Sequence, residues 1–240
     1  GKGLAVASIL VDPRAKHEDD ELGLNLGKRM YKLYWSPGSA NMTPHAMLED
    51  IGAPYDLIKV DTSKGEQRGA DYRKVNPHAR VPTLVYDGGK IMYEAAAISL
   101  FLAERHPEAG LAPAPGHADR APFLQWMAYL TNTVQEACMH YWHPEHFVPP
   151  AEESALKRKA EERLAKMFGF LNDHLAQSGP HLCGRAFYAC DYYCAMLARW
   201  TREMPVPAHS FEHIRALVRA AKARRGYARM LEMEGLQQAS

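Results

Sequence analysis

The chain changes its periodicity once, and that change bounds the architectures open to it. Strand-type segments are confined to the stretch before residue 94, whereas beyond residue 118 apolar side chains recur in steps of three and four. Tyr31 to Trp35 is short and β-rich and ends at Ser36-Pro37-Gly38. A helix is predicted from about Asn41 to Ile51, with Met42, Ala46, Met47 and Ile51 on one side. Pro44 is tolerated in its first turn and Gly52 stops it. Tyr55 to Val60 reads as a second strand and Gln67 to Lys74 as a polar helix. Pro82 to Tyr86 and Lys90 to Tyr93 flank Asp87-Gly88-Gly89, a hairpin signature. Glu94 to Arg105 is Ala-rich and helical, so the order is β-α-β-α-β-β-α, an α/β layer around one sheet.

Leu111 to His117, with two prolines and a glycine, suits a linker. Past it every segment is helical: Asp119 to about Tyr141; Glu152 to Gln177, with its apolar seam at Leu156, Ala160, Leu164, Met167, Leu171 and Leu175; and shorter helices over His209 to Ala221 and Lys222 to Glu234. Asp191 to Trp200 is apolar nearly all round, as the central helix of a bundle must be. The expected division is residues 30–107 for the α/β domain, 108–118 for the linker and 119–240 for an all-α domain. Residues 1–29 read differently, as an extension or cloning remnant whose charges cancel, with Met30 as the natural start.

Composition excludes several function classes. Lys and Arg number 29 against 28 Asp and Glu, a net charge of +1, which gives no electrostatic footprint for nucleic acid or an anionic membrane. No apolar run approaches the roughly 20 residues that span a bilayer. The four cysteines, Cys138, Cys183, Cys190 and Cys194, make no disulfide framework, and a cytoplasmic location is expected. Cys190 and Cys194 are one helical turn apart in an apolar run and read as buried thiols.

Three segments of the first domain carry the chemistry. They are Lys32-Leu33-Tyr34-Trp35-Ser36-Pro37-Gly38-Ser39-Ala40-Asn41, Asn76-Pro77-His78-Ala79-Arg80-Val81-Pro82-Thr83-Leu84, and Tyr93-Glu94-Ala95-Ala96-Ala97-Ile98. In this order and spacing they resemble the glutathione S-transferase superfamily of bacterial type, and Gly184 followed by Asp191 resembles that family's folding motif. The resemblance spans about residues 30 to 235. It implies a thioredoxin-like N-terminal domain with a mixed sheet, followed by the all-α domain. It further implies glutathione as co-substrate, an apolar electrophile, no metal, a role in detoxification, and a homodimer formed through the helices at 94–106 and 119–141.

The resemblance also assigns residues. Val81 would pair with glutathione as with an added strand, next to a cis Pro82. Glu94 and the Ala95 N–H would meet the γ-glutamyl group; family members usually carry Ser or Thr where Ala95 stands, so a hydroxyl donor is missing. A helix N-terminus favours a carboxylate at Glu94 with no ligand at all. Arg80 would pair with the glycine carboxylate, or be a solvated loop arginine. Ser39 and Asn41 are the candidate donors to the thiolate, Asn41 being equally readable as an N-cap. Trp35, Met42, Tyr141 and Trp142 would line the electrophile pocket, Trp142 serving equally well as packing.

The cysteines then restrict the mechanism. The beta-class enzymes carry a cysteine where this chain has Ala40, and the first 137 residues contain no thiol. A Cys-x-x-Cys redox cycle and a cysteine-type mixed disulfide in this domain are excluded, so the reactive sulfur arrives with glutathione. Two other functions fit the same residues: a nu-like disulfide-bond reductase using glutathione, and a non-catalytic ligand-binding module of the same fold. His140, His143 and His146 have ligand-like spacing, but Pro144 interrupts them and no carboxylate is expected to complete a set, so no metal is assigned. Where the family usually has a capping Ser, this chain has Tyr188, which leaves Asp191 to hold the helix start.

Overall fold

Four short strands make one sheet in the order β2-β1-β3-β4, with β1 (Tyr31–Trp35), β2 (Tyr55–Lys59), β3 (Thr83–Tyr86) and β4 (Lys90–Tyr93). The computed structural model describes residues 31–237; the expected extension over 1–29 and the start at Met30 lie outside them. β1 and β2 run parallel, while β1–β3 and β3–β4 are antiparallel, so the sheet is mixed as expected. The parallel pair requires a crossover, supplied by α1 (Met42–Ile51). β1 alternates in the manner of a half-buried strand, with Tyr31, Leu33 and Trp35 buried and Lys32 exposed. α2 (Ala70–Val75) is shorter than the predicted polar helix, because two single turns at Thr62–Lys64 and Glu66–Arg68 precede it. α3 (Ala95–Arg105) completes the domain.

Among the described residues no further strand follows β4. The second domain consists of α4 (Arg120–Tyr129), α5 (Glu136–Trp142), α6 (Glu153–Ser178), α7 (Ala189–Trp200), α8 (Glu212–Ala223) and α9 (Arg225–Met233). Instead of one helix over 119–141, a π-helical segment at Leu130–Gln135 separates α4 from α5. The Thr131 hydroxyl bonds back to the Met127 carbonyl at 2.8 Å, and Gln135 accepts a hydrogen bond from Tyr193. Such a wider turn re-aims the side chains beyond it, here Tyr141 and Trp142. α7 is buried over almost its whole surface, as its apolar sequence requires. The 108–118 linker is docked: Leu111 is fully buried and its carbonyl accepts the Ala189 N–H at 2.8 Å.

α1 departs from the one-sided helix expected of it. All of Met42 to Leu48 is buried, because α9 packs along the helix and α3 and α7 also contact it. The helices approach so closely that a Cβ on Gly226 would lie 2.2 Å from the Ala46 carbonyl oxygen. Asp50 fastens the crossing, accepting from Gly226 N–H (2.8 Å), Tyr192 OH (2.6 Å) and the Arg224 guanidinium (2.8 Å). The C-terminal helix is thereby packed against the first domain, next to the turn after β1.

Candidate functional site

Strand register brings the three sequence segments to one end of the sheet. Tyr34 is paired with Thr83, and Thr83 with Tyr93. One step further along the register, the turn after Trp35, the Val81–Pro82 bond and Glu94 follow side by side. The 76–82 loop is held there by Asn76, which is buried: its amide donates to the Arg80 carbonyl (2.8 Å) and Thr83 hydroxyl (3.1 Å), and its oxygen accepts the His78 N–H (3.0 Å). Tyr72 donates a second bond to the Arg80 carbonyl at 2.6 Å. The Val81–Pro82 peptide is cis. Arg80 is exposed and Val81 half-buried.

Glu94 is exposed and has φ +74°, a left-handed value that a non-glycine residue rarely holds. α3 begins at the next residue, Ala95, whose side chain is buried. The first N–H groups of a helix have no partner within it and carry partial positive charge. An exposed carboxylate and a set of free N–H donors therefore stand together, which suits a group bearing both an ammonium and a carboxylate.

Ser39 and Asn41 sit in the turn between β1 and α1 but have different surroundings. Ser39 is half-buried; its hydroxyl donates to the Ser36 carbonyl at 3.0 Å and lies against Asn41 Oδ1. Asn41 is fully buried, with Oδ1 accepting the Ser36 N–H at 3.0 Å and Nδ2 donating to Glu234 Oε1 at 2.7 Å. Asn41 stands just before α1, but its side chain bonds no N–H of the helix, so the expected side-chain cap is corrected; one of its two amide hydrogens goes to Glu234.

Glu234, just past α9, was invisible to the sequence reading and organises this turn. Its carboxylate accepts from the Gly38 N–H (2.9 Å) and Asn41 Nδ2 (2.7 Å) and lies 2.7 Å from His45 Nδ1. The other His45 nitrogen meets the Tyr55 hydroxyl at 3.1 Å, and Tyr55 in turn donates to Glu49. Burial and Glu49 hold the Tyr55 hydroxyl far above its ordinary pKa, so it stays protonated. No local pattern marks Glu234; the signal would be an acid at a position whose helix face is otherwise buried.

The aromatic residues divide. The Trp200 indole N–H donates to the Gly38 carbonyl at 2.8 Å, and the Trp142 indole N–H donates to the Trp200 carbonyl at 3.1 Å. This relay sets the end of α5 beside the catalytic-turn candidate, with Tyr141 packed edge-on against Trp142. Trp200 belongs with them and was missed. Of the two residues expected in the pocket near the turn, Met42 is fully buried in the core, and Trp35, at the end of β1, is buried with its ring against His45.

His140 turns away to Glu136 at 2.9 Å. Glu145, however, joins His143 and His146, their ligand atoms lying within 4.8 Å of one another, all three exposed. The expectation that no carboxylate completes the set is thus corrected, although Glu145 already pairs with His143 at 3.3 Å.

Residues 42–105 match the family model for the glutathione S-transferase N-terminal domain. Glutathione S-transferase Z1 of Arabidopsis thaliana is 31% identical over 178 residues, covering 71% of this chain and 77% of that protein. The chain belongs to the glutathione S-transferase superfamily. Glutathione S-transferase GstA of Escherichia coli O157:H7 is 26% identical over 85% of this chain and 99% of its own length. The disulfide-bond oxidoreductase YfcG of Escherichia coli K12 is 29% identical over 72% and 82% of the two chains. Among solved structures, a glutathione transferase homologue from Sulfitobacter with bound glutathione superposes with a TM-score of 0.80 at 25% identity, covering 86% of this chain and 99% of that one. The transferase fold thus accounts for the convergence of the turn, the cis-proline loop and the α3 N-terminus at one sheet end.

Proposed function

We propose that this glutathione transferase binds glutathione along Val81 and Pro82, with its γ-glutamyl group at Glu94 and the Ala95 N–H and its glycine carboxylate at Arg80. Its sulfur then lies at Ser39. The observation that carries this reading is the strand register, which lines up the turn, the loop and Glu94 at one end of the sheet. Ser39 is the only one of the two expected donors with exposed surface, and a hydroxyl rotates freely enough to donate to a thiolate. The electrophile is an apolar one, held against Tyr141 and Trp142 beside Gly38. We place this chemistry in the cytoplasm, as detoxification of reactive apolar compounds.

A free thiol near pKa 8.5 is a few per cent ionised at neutral pH, and one hydrogen bond to the thiolate contributes roughly 1.5–3 kcal/mol, or about one to two pKa units. Ser39→Ala is therefore expected to lower kcat/KM for conjugation of an aryl halide by about 10- to 100-fold at neutral pH. The same substitution should move the ascending limb of the pH–rate profile up by about one to two units, with activity recovering in alkali. An unmoved pH profile would remove Ser39 from this role. Likeness to the disulfide-bond oxidoreductase favours a second reading, reduction of a small disulfide by glutathione. Faster turnover of hydroxyethyl disulfide than of aryl halide would select it.

We further infer a homodimer. β4 is an edge strand bearing exposed Ile91 and Tyr93, and α4 exposes Leu124. Edge strands and apolar patches of this kind are ordinarily covered. Sedimentation should give a dimer, and Leu124→Glu should weaken it at least tenfold; a monomeric parent protein refutes the assignment.

A further inference from the structure

The described cysteines are all free, yet two of them touch: Cys183 Sγ and Cys190 Sγ are 3.9 Å apart. We propose that Cys183 and Cys190 are a dithiol site that a low-molecular-weight disulfide, such as glutathione disulfide, converts to an intramolecular disulfide. The site lies in the second domain and is independent of the reading given above for the first.

The backbone between the two residues is already closed into a loop. Asp191 Oδ1 accepts the Leu182 N–H at 2.9 Å and Oδ2 accepts the Tyr188 N–H at 2.8 Å, so one carboxylate clasps both arms. Cys183 follows the first arm and Cys190 precedes the carboxylate itself. A disulfide has an S–S distance of about 2 Å, so closing the bond requires roughly 2 Å of sulfur travel, within the range of side-chain rotation.

The two thiols have unequal environments, which orders the steps. Cys183 is half-buried, whereas Cys190 is fully buried and its thiol is pushed well up by that burial. Cys183, as thiolate, attacks one sulfur of glutathione disulfide; the Cys183–glutathione bond forms, the glutathione S–S bond breaks, and one glutathione leaves. Cys190 Sγ then attacks Cys183 Sγ and expels the second glutathione, whose departing sulfur takes up the Cys190 proton. Two protein thiols are oxidised and one glutathione disulfide is reduced to two glutathione molecules, so atoms and electrons balance. Cys194 and Cys138 are fully buried and take no part in the two steps.

The test is to incubate the folded full chain with glutathione disulfide, quench with acid, and map thiols by mass spectrometry. The expected product has lost two of its four thiols and about two mass units, with the peptides of Cys183 and Cys190 cross-linked. Cys183→Ser should abolish the loss, and Cys190→Ser should stop the reaction at glutathione bound to Cys183. Glutathione retained on Cys183 in the unsubstituted protein, oxidation at Cys138 or Cys194 instead, or four free thiols under conditions that oxidise dithiothreitol would each overturn the proposal.

Discussion

Replacement of Glu234 by alanine is expected to destabilise the protein by about 3–5 kcal/mol, the cost of leaving several buried polar groups without their acceptor. The reason is the number of groups that share this carboxylate. The Gly38 N–H, the Asn41 amide and His45 Nδ1 all converge on it, and the His45 and Glu234 side chains are both fully buried. With alanine there, three polar groups lose their acceptor in a site too dry to replace it. The denaturation midpoint in urea reports the loss directly. Activity should fall more than the fraction unfolded, because the released Asn41 no longer fixes the Ser36 N–H or the Ser39 hydroxyl. Glu234→Gln keeps an acceptor oxygen but no charge and should cost distinctly less. Equal stability of Glu234→Ala and the parent protein would show that the cluster contributes nothing net.

The position of Glu234 shows where sequence reasoning stops. The order of elements along the chain and the helix opening at Glu94 were legible because each depends on a local pattern within a few residues, whereas the cis Pro82 came only with the family resemblance. The partner of Asn41 lies 193 residues away, one acid among 28 of Asp and Glu, and nothing in its neighbourhood distinguishes it. The same distance effect misled the reading of α1. Its spacing marked one apolar side, but Thr43 and His45 are buried too, Thr43 against Met196 of α7 and His45 against Glu234 just past α9. Met42 fell on the other side of the same error: proximity to the turn in sequence suggested a pocket wall, whereas the side chain enters the core.

The second domain was legible in its helices and not in their irregularities. The period of Leu164, Leu171 and Leu175 identifies α6, and those residues are buried as the period requires. A π-helical segment has no such signature, since Leu130 to Gln135 contains neither proline nor glycine and fits an ordinary helix equally well. What re-aims Trp142 toward Trp200 is therefore a packing decision made by α7, through the Tyr193–Gln135 bond, and not a local preference.

Asp191 offers the second large effect, and its sign is opposite to that of most structural carboxylates. Burial raises its pKa to about 7 from 3.8, against the two backbone N–H groups that pull it down. The charged form is thus the costly one in the fold. The stability this group contributes is complete below about pH 3.8 and is lost as pH rises to about 7, a difference of roughly 4 kcal/mol at one pKa unit per 1.36 kcal/mol. Asp191→Asn keeps an acceptor for one N–H and cannot ionise, so its unfolding free energy should be flatter across this window than that of the parent protein. Asp191→Ala leaves the Leu182 and Tyr188 N–H groups both unpaired and should be destabilised by about 2–4 kcal/mol at acid pH. Chemical denaturation at matched pH values separates these variants. A parent protein whose stability rises from pH 4 to 7 by the amount that Asp191→Asn fails to gain would mean that the two N–H bonds outweigh burial, and that the clasp is held by a carboxylate ionised throughout.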